Sequence, residues 1–234
     1  MSISVVFPMY NERNYVRKSV ALAIAAIKEI TNDYEIIIVD DCSIDDSGSI
    51  ADDLARGNPQ VKVIHQAKNR KLGGTLKSGF GLASKEYVIY SDIDMPFDFK
   101  EIKKAFNLLL IQDAQIVSAY RINKGADGAK RYIYSLVYNV FIRLLFGLKV
   151  KDINFSFKVI KNSFLKKNTL VSEGSFINAE LFIRAKRCAA KITQFPAVYF
   201  PRQVGVSRLS SLAVIIKIMQ EALYFRLGLL KNGK

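Results

Sequence analysis

The feature that most constrains the fold of this chain is a regular alternation of short apolar runs with longer segments of helical periodicity. The runs "ISVVF", "YEIIIVD", "VKVIH", "EYVIYS" and "AQIVSA" indicate strands, and "NYVRKSVALAIAAIKEI" carries apolar residues at helical spacing. Strands that are apolar along their whole length are typical of a sheet buried on both faces. The alternation therefore predicts an α/β fold, with a mostly parallel central sheet and helices on both of its faces.

Polar side chains concentrate directly after these predicted strands. Ligands of α/β sheets usually bind beyond the carboxyl ends of the strands, and the segments found there include "PMYNE", "DDCSIDD", "HQAKNRKLGG" and "SDIDMPFD". Four carboxylates stand at two of these strand ends: Asp40, Asp41, Asp92 and Asp94. Because like charges repel unless a cation or hydrogen-bond donors compensate them, this edge of the sheet is the predicted site.

The Asp92-Ile93-Asp94 segment is a candidate metal site. Residues i and i+2 of an extended strand point to the same side, so both carboxylates can reach one ion. Mg²⁺ or Mn²⁺ bound by one or two carboxylates and by substrate phosphates fits this pattern. Asp98 has a structural interpretation instead, because Asp98 and Glu101 form a D-x-x-E capping pattern that predicts Asp98 as a helix N-cap.

The charge of the chain favours an anionic partner. With 35 Lys and Arg against 21 Asp and Glu, the formal net charge is +14, which suits nucleic acid, anionic lipid or a phosphorylated substrate. The basic residues are not grouped with stacking aromatics in a nucleic-acid motif, so we expect no nucleic-acid partner.

Residues 131–150 and 210–234 are apolar and aromatic with scattered cations, and neither has the ~18 uncharged residues of a membrane span. They predict helices that either pack in the core or lie in a membrane interface.

The order of the motifs resembles that of a known enzyme family. "FPMYNE", "VDDCSIDDS" and the D-x-D segment follow successive predicted strands, as in family 2 glycosyltransferases of the GT-A fold. "SAYR", "KDINFSFKVI" and "FPRQVGVSRLS" further resemble stretches of dolichyl-phosphate mannosyltransferases and related polyprenyl-phosphate glycosyltransferases. The resemblance covers roughly residues 3–210, which is nearly the whole chain.

The resemblance implies an inverting glycosyltransferase that moves a sugar from a GDP- or UDP-linked donor to a polyprenyl phosphate, with Mg²⁺ or Mn²⁺ as cofactor. We expect a catalytic domain over residues 1–208 and a C-terminal amphipathic helix over 209–234, which either packs in the core or associates with the membrane. The enzyme would be cytoplasmic, as the widely separated Cys42 and Cys188 also suggest. It would be peripheral on the cytoplasmic face of the membrane, directly or through a membrane partner protein.

The resemblance also implies roles for individual residues. Those implied to bind the nucleotide of the donor are Pro8, Tyr10, Glu12, Asp40, Asp41 and Gly73. Asp92 is implied to face both the ribose and the metal, and Asp94 to be the principal metal ligand. Those implied to bind the acceptor phosphate and the diphosphate are Arg121, Arg131 and Arg202. Guanidinium groups suit phosphate because their donors form a planar fork.

Three places depart from the pattern of the family. Pro96 stands where relatives often carry a glutamine that helps to ligate the metal, so we expect a weaker or more water-filled metal site, or an enzyme that depends less on a metal. Lys71 and Thr75 stand where a glycine and an alanine are usual. Ser156 replaces a glycine in "KDINFSFKVI", within the segment implied to face the acceptor.

Two alternatives remain open from the sequence. A transferase of the same fold could act on a glycan or glycolipid hydroxyl, which needs a general base, with Glu180 and Asp152 as candidates; a phosphate acceptor is already anionic and needs none. We expect Glu180 to be structural, and also His65, the only histidine in the chain. A non-catalytic module that binds membrane or nucleic acid by charge is the other alternative, and the strand-end carboxylates disfavour it.

Overall fold

A central sheet organises the chain in the computed structural model, which describes residues 1–94, 96–123, 128–201 and 212–230, without the side chains of Lys130 and Arg131. The strands of the described residues are β1 Ile3–Met9, β2 Tyr34–Asp40, β3 Val61–His65, β4 Tyr87–Ser91, β5 Ile116–Arg121, β6 Phe157–Lys161 and β7 Ile192–Ala197. The helices are α1 Val16–Lys28, α2 Ser47–Gly57, α3 Lys71–Leu82, α4 Glu101–Ile111, α5 Ala129–Phe146, α6 Asn162–Lys167, α7 Ile177–Arg187 and α8 Leu212–Arg226.

The sheet is mostly parallel, as the sequence predicts. Its strand order is β3-β2-β1-β4-β6-β5-β7. Strand β6 is antiparallel to both of its neighbours, with Lys158 opposite Tyr90 of β4 and Ser118 of β5. The parallel pairs are β1 with β2, β1 with β4, β2 with β3, and β5 with β7. The carboxyl ends of β1, β2, β3 and β4 therefore meet at one edge, where the predicted site residues lie.

Helices cover both faces of the sheet because successive strand residues point to opposite sides. Phe7 of β1 lies in a buried apolar cluster with residues of α1, α2 and α4. Its neighbour Val6 lies in a second cluster on the other face, with residues of α3, α5, α6, α7 and α8. The two clusters explain why the central strands are apolar along their whole length, and the predicted fold class is confirmed.

The last described helix belongs to the second of these clusters. Helix α8 buries Ile215, Ile218, Ala222 and Phe225, and the Phe225 ring lies 5.4 Å from that of Phe176. The predicted boundary between residues 208 and 209 lies outside the described residues and stays a prediction. Among the helices that the structure describes, none combines the length and the apolar character needed to cross a bilayer.

The predicted N-cap of α4 is displaced by two residues. The helix begins at Glu101 with Lys100 as its N-cap, whereas Asp98 accepts a hydrogen bond from the Lys100 amide at 2.9 Å and its carbonyl accepts one from the Glu101 amide at 3.0 Å. The prediction of Asp98 as N-cap is therefore wrong in position. Asp98 stabilises the turn that leads into the helix, which is a related use of the same carboxylate.

Candidate active site

Two loops at the carboxyl edge of the sheet are joined by hydrogen bonds between side chains and backbone. The Asn11 amide donates to Ser43 Oγ at 2.9 Å, and the Ile44 amide donates back to Asn11 Oδ1 at 2.9 Å. The Glu12 amide donates to Ser47 Oγ at 2.7 Å. These bonds hold the loop after β1, which carries the predicted donor-binding residues, against the loop after β2.

Backbone conformations that are unusual for L-residues recur at this edge. Asn11 has φ 56°, Cys42 has φ 67° and Lys71 has φ 59°, and each follows the end of one of the strands β1, β2 and β3. Non-glycine residues rarely adopt positive φ, and such conformations concentrate at functional sites because the surrounding structure must enforce them. Their occurrence after three neighbouring strands marks this edge independently of the carboxylates.

Asp40 and Asp41 are buried, and both organise the loops around them. Asp40 Oδ1 accepts a hydrogen bond from the Ser43 amide at 3.1 Å, and Oδ2 lies 3.0 Å from His65 Nδ1. Asp41 Oδ1 accepts one from the Arg70 amide at 2.6 Å. Their predicted contacts with the base or ribose stay predictions, and the structure adds that both carboxylates connect β2 to the following loops.

The two carboxylates after β4 lie in a crowded negative environment. Asp92 Oδ1 lies 3.4 Å from the Tyr90 hydroxyl. Burial and the charge of Asp94 raise the pKa of Asp92, Glu12 raises it further, and a hydrogen bond from Ser156 and the charge of Lys158 oppose the shift. Asp92 thus experiences the charge of Asp94 from its own loop and that of Glu12 from the loop after β1, and its ionised state is destabilised.

This environment fits a divalent cation. A cation between Asp92 and Asp94 would compensate the repulsion that raises the pKa of Asp92. Within the described residues, no three His, Cys, Asp or Glu side chains are grouped to hold a metal. Pro96 offers no side-chain ligand, and its carbonyl accepts the Phe200 amide at 2.9 Å. Two carboxylates would therefore share the ion with phosphate oxygens and water, a coordination typical of Mg²⁺.

A buried lysine lies behind these carboxylates and was not predicted from the sequence. The Lys158 side chain is fully buried, and its Nζ donates to the Phe155 carbonyl at 2.7 Å and to Asn178 Oδ1 at 2.9 Å. Burial lowers the pKa of Lys158, while the charges of Asp92 and Asp152 oppose that shift. The sequence signal for it is a lysine inside the apolar run "FKVI", which indicates a buried position. A lysine in such a position needs hydrogen-bond partners of this kind.

Arg121 lies at the end of β5, as predicted, but is engaged in an internal ion pair. Its Nε lies 2.7 Å from Asp152 Oδ2 and its NH2 lies 3.2 Å from Oδ1. The two side chains are 10% and 1% exposed. Contact of Arg121 with a substrate phosphate stays a prediction and would have to be made from within this pair. Arg202 and the side chain of Arg131 lie outside the described residues.

The predicted donor-binding residue Gly73 has a packing role. Its amide donates to the Glu173 carbonyl at 2.9 Å, and a Cβ at this position would collide with the backbone of Ser172 and Glu173. The amide is therefore not available to a phosphate, and contact of Gly73 with the donor stays a prediction. The glycine is needed here because α3 approaches the backbone of residues 172–173 so closely.

Glu180, the candidate base for a hydroxyl acceptor, is fully buried and fully engaged. It accepts hydrogen bonds from the Val171 amide at 2.9 Å, from the Ser172 amide at 2.8 Å and from Arg184 Nε at 2.7 Å. These contacts support its structural interpretation. Asp152, the other candidate base, is occupied by Arg121, so neither carboxylate is placed to take a proton from an acceptor.

Comparison with known proteins assigns the class of this fold and site. The family profile described as glycosyl transferase family 2 matches residues 4–169, and the chain belongs to that family. The sequence resemblance to family 2 is thereby confirmed.

Individual relatives narrow the comparison. An undecaprenyl-phosphate mannosyltransferase of Micrococcus luteus is 24% identical, over 90% of this chain and 88% of the relative. A polyprenol monophosphomannose synthase of Mycolicibacterium smegmatis is 26% identical, over 88% and 80%. The glycosyltransferase AglD of Haloferax volcanii is 24% identical over 86% of this chain, which spans only 34% of AglD.

Solved structures support the same architecture. Glucosyl-3-phosphoglycerate synthase from Mycobacterium tuberculosis superposes with a TM-score of 0.71 at 20% identity, over 99% of this chain and 82% of that one. A complex of that enzyme with Mn²⁺, UDP and glucosyl-3-phosphoglycerate gives 0.69 at 19% identity, over 99% and 82%. TarS from S. aureus, solved in complex with UDP-GlcNAc, superposes with a TM-score of 0.64 at 17% identity, over 96% of this chain and 67% of the TarS chain. At these identities the likeness supports the fold.

Proposed function

We propose that this protein is an inverting glycosyltransferase that transfers a sugar from a nucleotide-sugar donor to a polyprenyl phosphate. The observation that carries the proposal is the buried Asp92, whose pKa is raised by the charges of Asp94 and Glu12 at the carboxyl edge of a family 2 sheet. Two relatives that align over most of their length are named for mannosyl transfer to polyprenyl phosphate or for polyprenol monophosphomannose synthesis. Their names supply the acceptor class of the proposal.

In the proposed reaction an oxygen of the acceptor phosphate attacks the anomeric carbon of the donor sugar. The bond from that carbon to the diphosphate breaks, and the nucleoside diphosphate leaves with its electron pair. A phosphate oxygen needs no general base. The contacts of Asp152 and Glu180 with Arg121 and Arg184 favour this acceptor over a hydroxyl, because both candidate bases are already engaged.

The proposal includes a divalent cation held by Asp92 and Asp94. When bound, such a cation would neutralise charge on the departing diphosphate. A superposable enzyme has been solved with Mn²⁺ and UDP, which supports a divalent metal of this kind. Asp92 and Asp94 would hold the ion at the end of β4. The nucleotide would be surrounded by Pro8, Tyr10, Glu12, Asp40 and Asp41.

We also propose that α5 and α8 bring the enzyme to a membrane surface, on its cytoplasmic face. From residue 132 to residue 146 of α5, the side chains that the structure describes as exposed and large are apolar: Tyr132, Ile133, Leu136, Val137, Val140 and Leu144. Exposed apolar residues of α8 include Leu212, Ile216, Leu223 and Tyr224. A surface helix ordinarily turns its polar face to solvent, and exposed apolar patches mark interaction sites.

A bilayer is the occupant that suits this surface. The proposed acceptor is a lipid, and exposed Lys149, Lys217 and Arg226 accompany the apolar residues. Cations beside an apolar face meet anionic head groups, while the apolar side chains enter the interface.

A panel of donors tests the catalytic proposal. The protein is incubated with a polyprenyl phosphate and labelled UDP- and GDP-sugars, with and without Mn²⁺, and the lipid phase is counted. Label entering the lipid phase with one donor, and lost in the Asp94→Asn variant, is the expected result. Label that reaches a glycan hydroxyl and never the lipid phase would show that the acceptor assignment is wrong.

Sedimentation with vesicles tests the membrane proposal. Leu136→Gln and Leu144→Gln together should reduce binding to vesicles that contain an anionic phospholipid, and Ile111→Gln is the control. Ile111 is 82% exposed but lies at the end of α4, on the opposite face of the sheet. Equal binding of all the proteins, or equal loss in the control, would exclude α5 as the docking face.

A further inference from the structure

The only histidine of the chain lies between two carboxylates. His65 closes β3, and its Nδ1 lies 3.0 Å from Asp40 Oδ2 of β2. Its Nε2 lies 2.9 Å from Asp52 Oδ1 of α2. An ionised carboxylate can only accept a hydrogen bond, so with both carboxylates ionised the two contacts are satisfied together only when both ring nitrogens carry a proton. An imidazole ring with both nitrogens protonated is a cation.

The charge of this ring has a direct use at the site. The Asp40 side chain is only 7% exposed, and a carboxylate so deeply buried is destabilised unless it is paired. A protonated His65 ring would supply the pairing charge and direct Asp40 Oδ2, while the Ser43 amide donates to Oδ1. Asp52 anchors the other side of the ring and is half exposed. The ring thus joins β2, β3 and α2 at the strand end that carries Asp40.

We propose that His65, held as an imidazolium between Asp40 and Asp52, is a positioning residue that sets the Asp40 carboxylate for the nucleoside of the donor. The nucleotide ligand in this inference comes from the proposed function. The charge state of the ring depends only on its contacts with Asp40 and Asp52. His65 acts through Asp40 and needs no contact with the donor itself.

The surroundings of the ring agree with this charge state. The charged groups that face it are Asp52 from α2 and Asp40 from β2, and their hydrogen bonds raise the pKa of His65, against a smaller opposing effect of burial. Because the pKa of His65 is raised in the folded state, the ring is protonated and paired with both Asp40 and Asp52 at low pH. This pairing is lost as the pH rises through the raised pKa. Donor affinity should fall over the same range.

The ring can be observed directly because the chain contains one histidine. In protein labelled with ¹⁵N-histidine, we expect the ring nitrogen shifts of an imidazolium at neutral pH and a titration midpoint above the ordinary value. Asp52→Asn should move the midpoint down. The matched control is Asp53→Asn, which removes the same charge from α2 at a residue paired with Arg17 and Arg56 instead. A neutral ring at neutral pH would overturn the inference.

Calorimetry with UDP and with GDP then tests the positioning role. In His65→Gln we expect about tenfold weaker binding of whichever nucleotide the wild type binds, as for loss of one charge-assisted hydrogen bond. The pH at which affinity falls should shift down in Asp52→Asn and stay in place in Asp53→Asn, a pattern that a merely structural role would not produce. If the wild type binds neither nucleotide, the proposed function fails. If it binds one and the variants leave its pH profile unchanged, this inference fails.

Discussion

The pair formed by Arg121 and Asp152 gives the sharpest distinction between a structural and a catalytic carboxylate. Asp152→Asn preserves the shape of the side chain, removes its charge and places an amide NH₂ group on one side of the guanidinium. Asp152 would be a general base if the acceptor were a hydroxyl. The structure instead makes it the counterion of a buried arginine, so the substitution should act on stability first.

The magnitude follows from the contacts that are lost. Arg121 donates to Asp152 through Nε at 2.7 Å and through NH2 at 3.2 Å, in a pair that is almost entirely buried. Removing one partner of a buried ion pair costs about 3–5 kcal/mol, because the other charge is left uncompensated. The Tyr199 ring, 5.4 Å from the guanidinium, retains part of the stabilisation. We therefore expect a loss of about 3 kcal/mol, which lowers Tm by ~6–12 °C for a chain of this size.

The assay combines urea unfolding with single-turnover transfer at a temperature where the variant is folded. Asp113→Asn is the control, because Asp113 also pairs with a basic residue, Lys161, but is 85% exposed, and its unfolding midpoint should not change. The reasoning is refuted if Asp152→Asn unfolds at the wild-type urea concentration while its transfer rate collapses. That combination would identify Asp152 as a base and would favour a hydroxyl acceptor.

Three further predictions concern other carboxylates. Burial raises the pKa of Glu35, but hydrogen bonds from Lys62 and other donors outweigh it and lower that pKa from 4.5 to about 2. The stabilisation is present above pH 4.5 and lost as the pH falls towards 2, so the unfolding free energy of the wild type should decline more steeply over this range than that of Glu35→Gln. Asp94→Asn should weaken Mn²⁺ binding in the presence of nucleotide, measured by Mn²⁺ EPR, by at least the ~10-fold that loss of a supporting residue typically costs. Glu180→Gln should lower the unfolding midpoint and leave the turnover of the folded enzyme unchanged; a lost turnover with an unchanged midpoint would contradict its structural role.

The first half of the fold could be predicted because its strands are apolar on both faces and its helices keep a clear period. The carboxyl-edge rule then placed Asp40, Asp41, Asp92 and Asp94 together without further information. Strand β6 escaped prediction because "FKVIK" is short and carries a lysine that is charged in most proteins and therefore exposed. Strand β7 contains Pro196, which weakens a strand pattern.

The partners of the site residues were harder to predict than the identity of those residues. Arg121 and Asp152 are 31 residues apart, and periodicity carries no information on pairs of that separation. The same holds for His65, whose partners come from a different strand and a helix. Ser156 illustrates the limit most clearly: the sequence marks it only as a departure from glycine, while in the fold it is among the groups that oppose the raised pKa of Asp92.

The antiparallel insertion of β6 has a consequence for how the site is assembled during synthesis. Glu12, Asp92 and Asp94 belong to the first 94 residues, whereas Ser156 and Lys158, which oppose the pKa shift of Asp92, come much later in the chain. The three acidic residues of this edge are therefore synthesised well before Ser156 and Lys158. When β6 pairs with β4 and β5 it joins the two parts of the sheet and adds the charge of Lys158 to the surroundings of Asp92 in the same step, so this positive charge arrives only after the first four strands have been made.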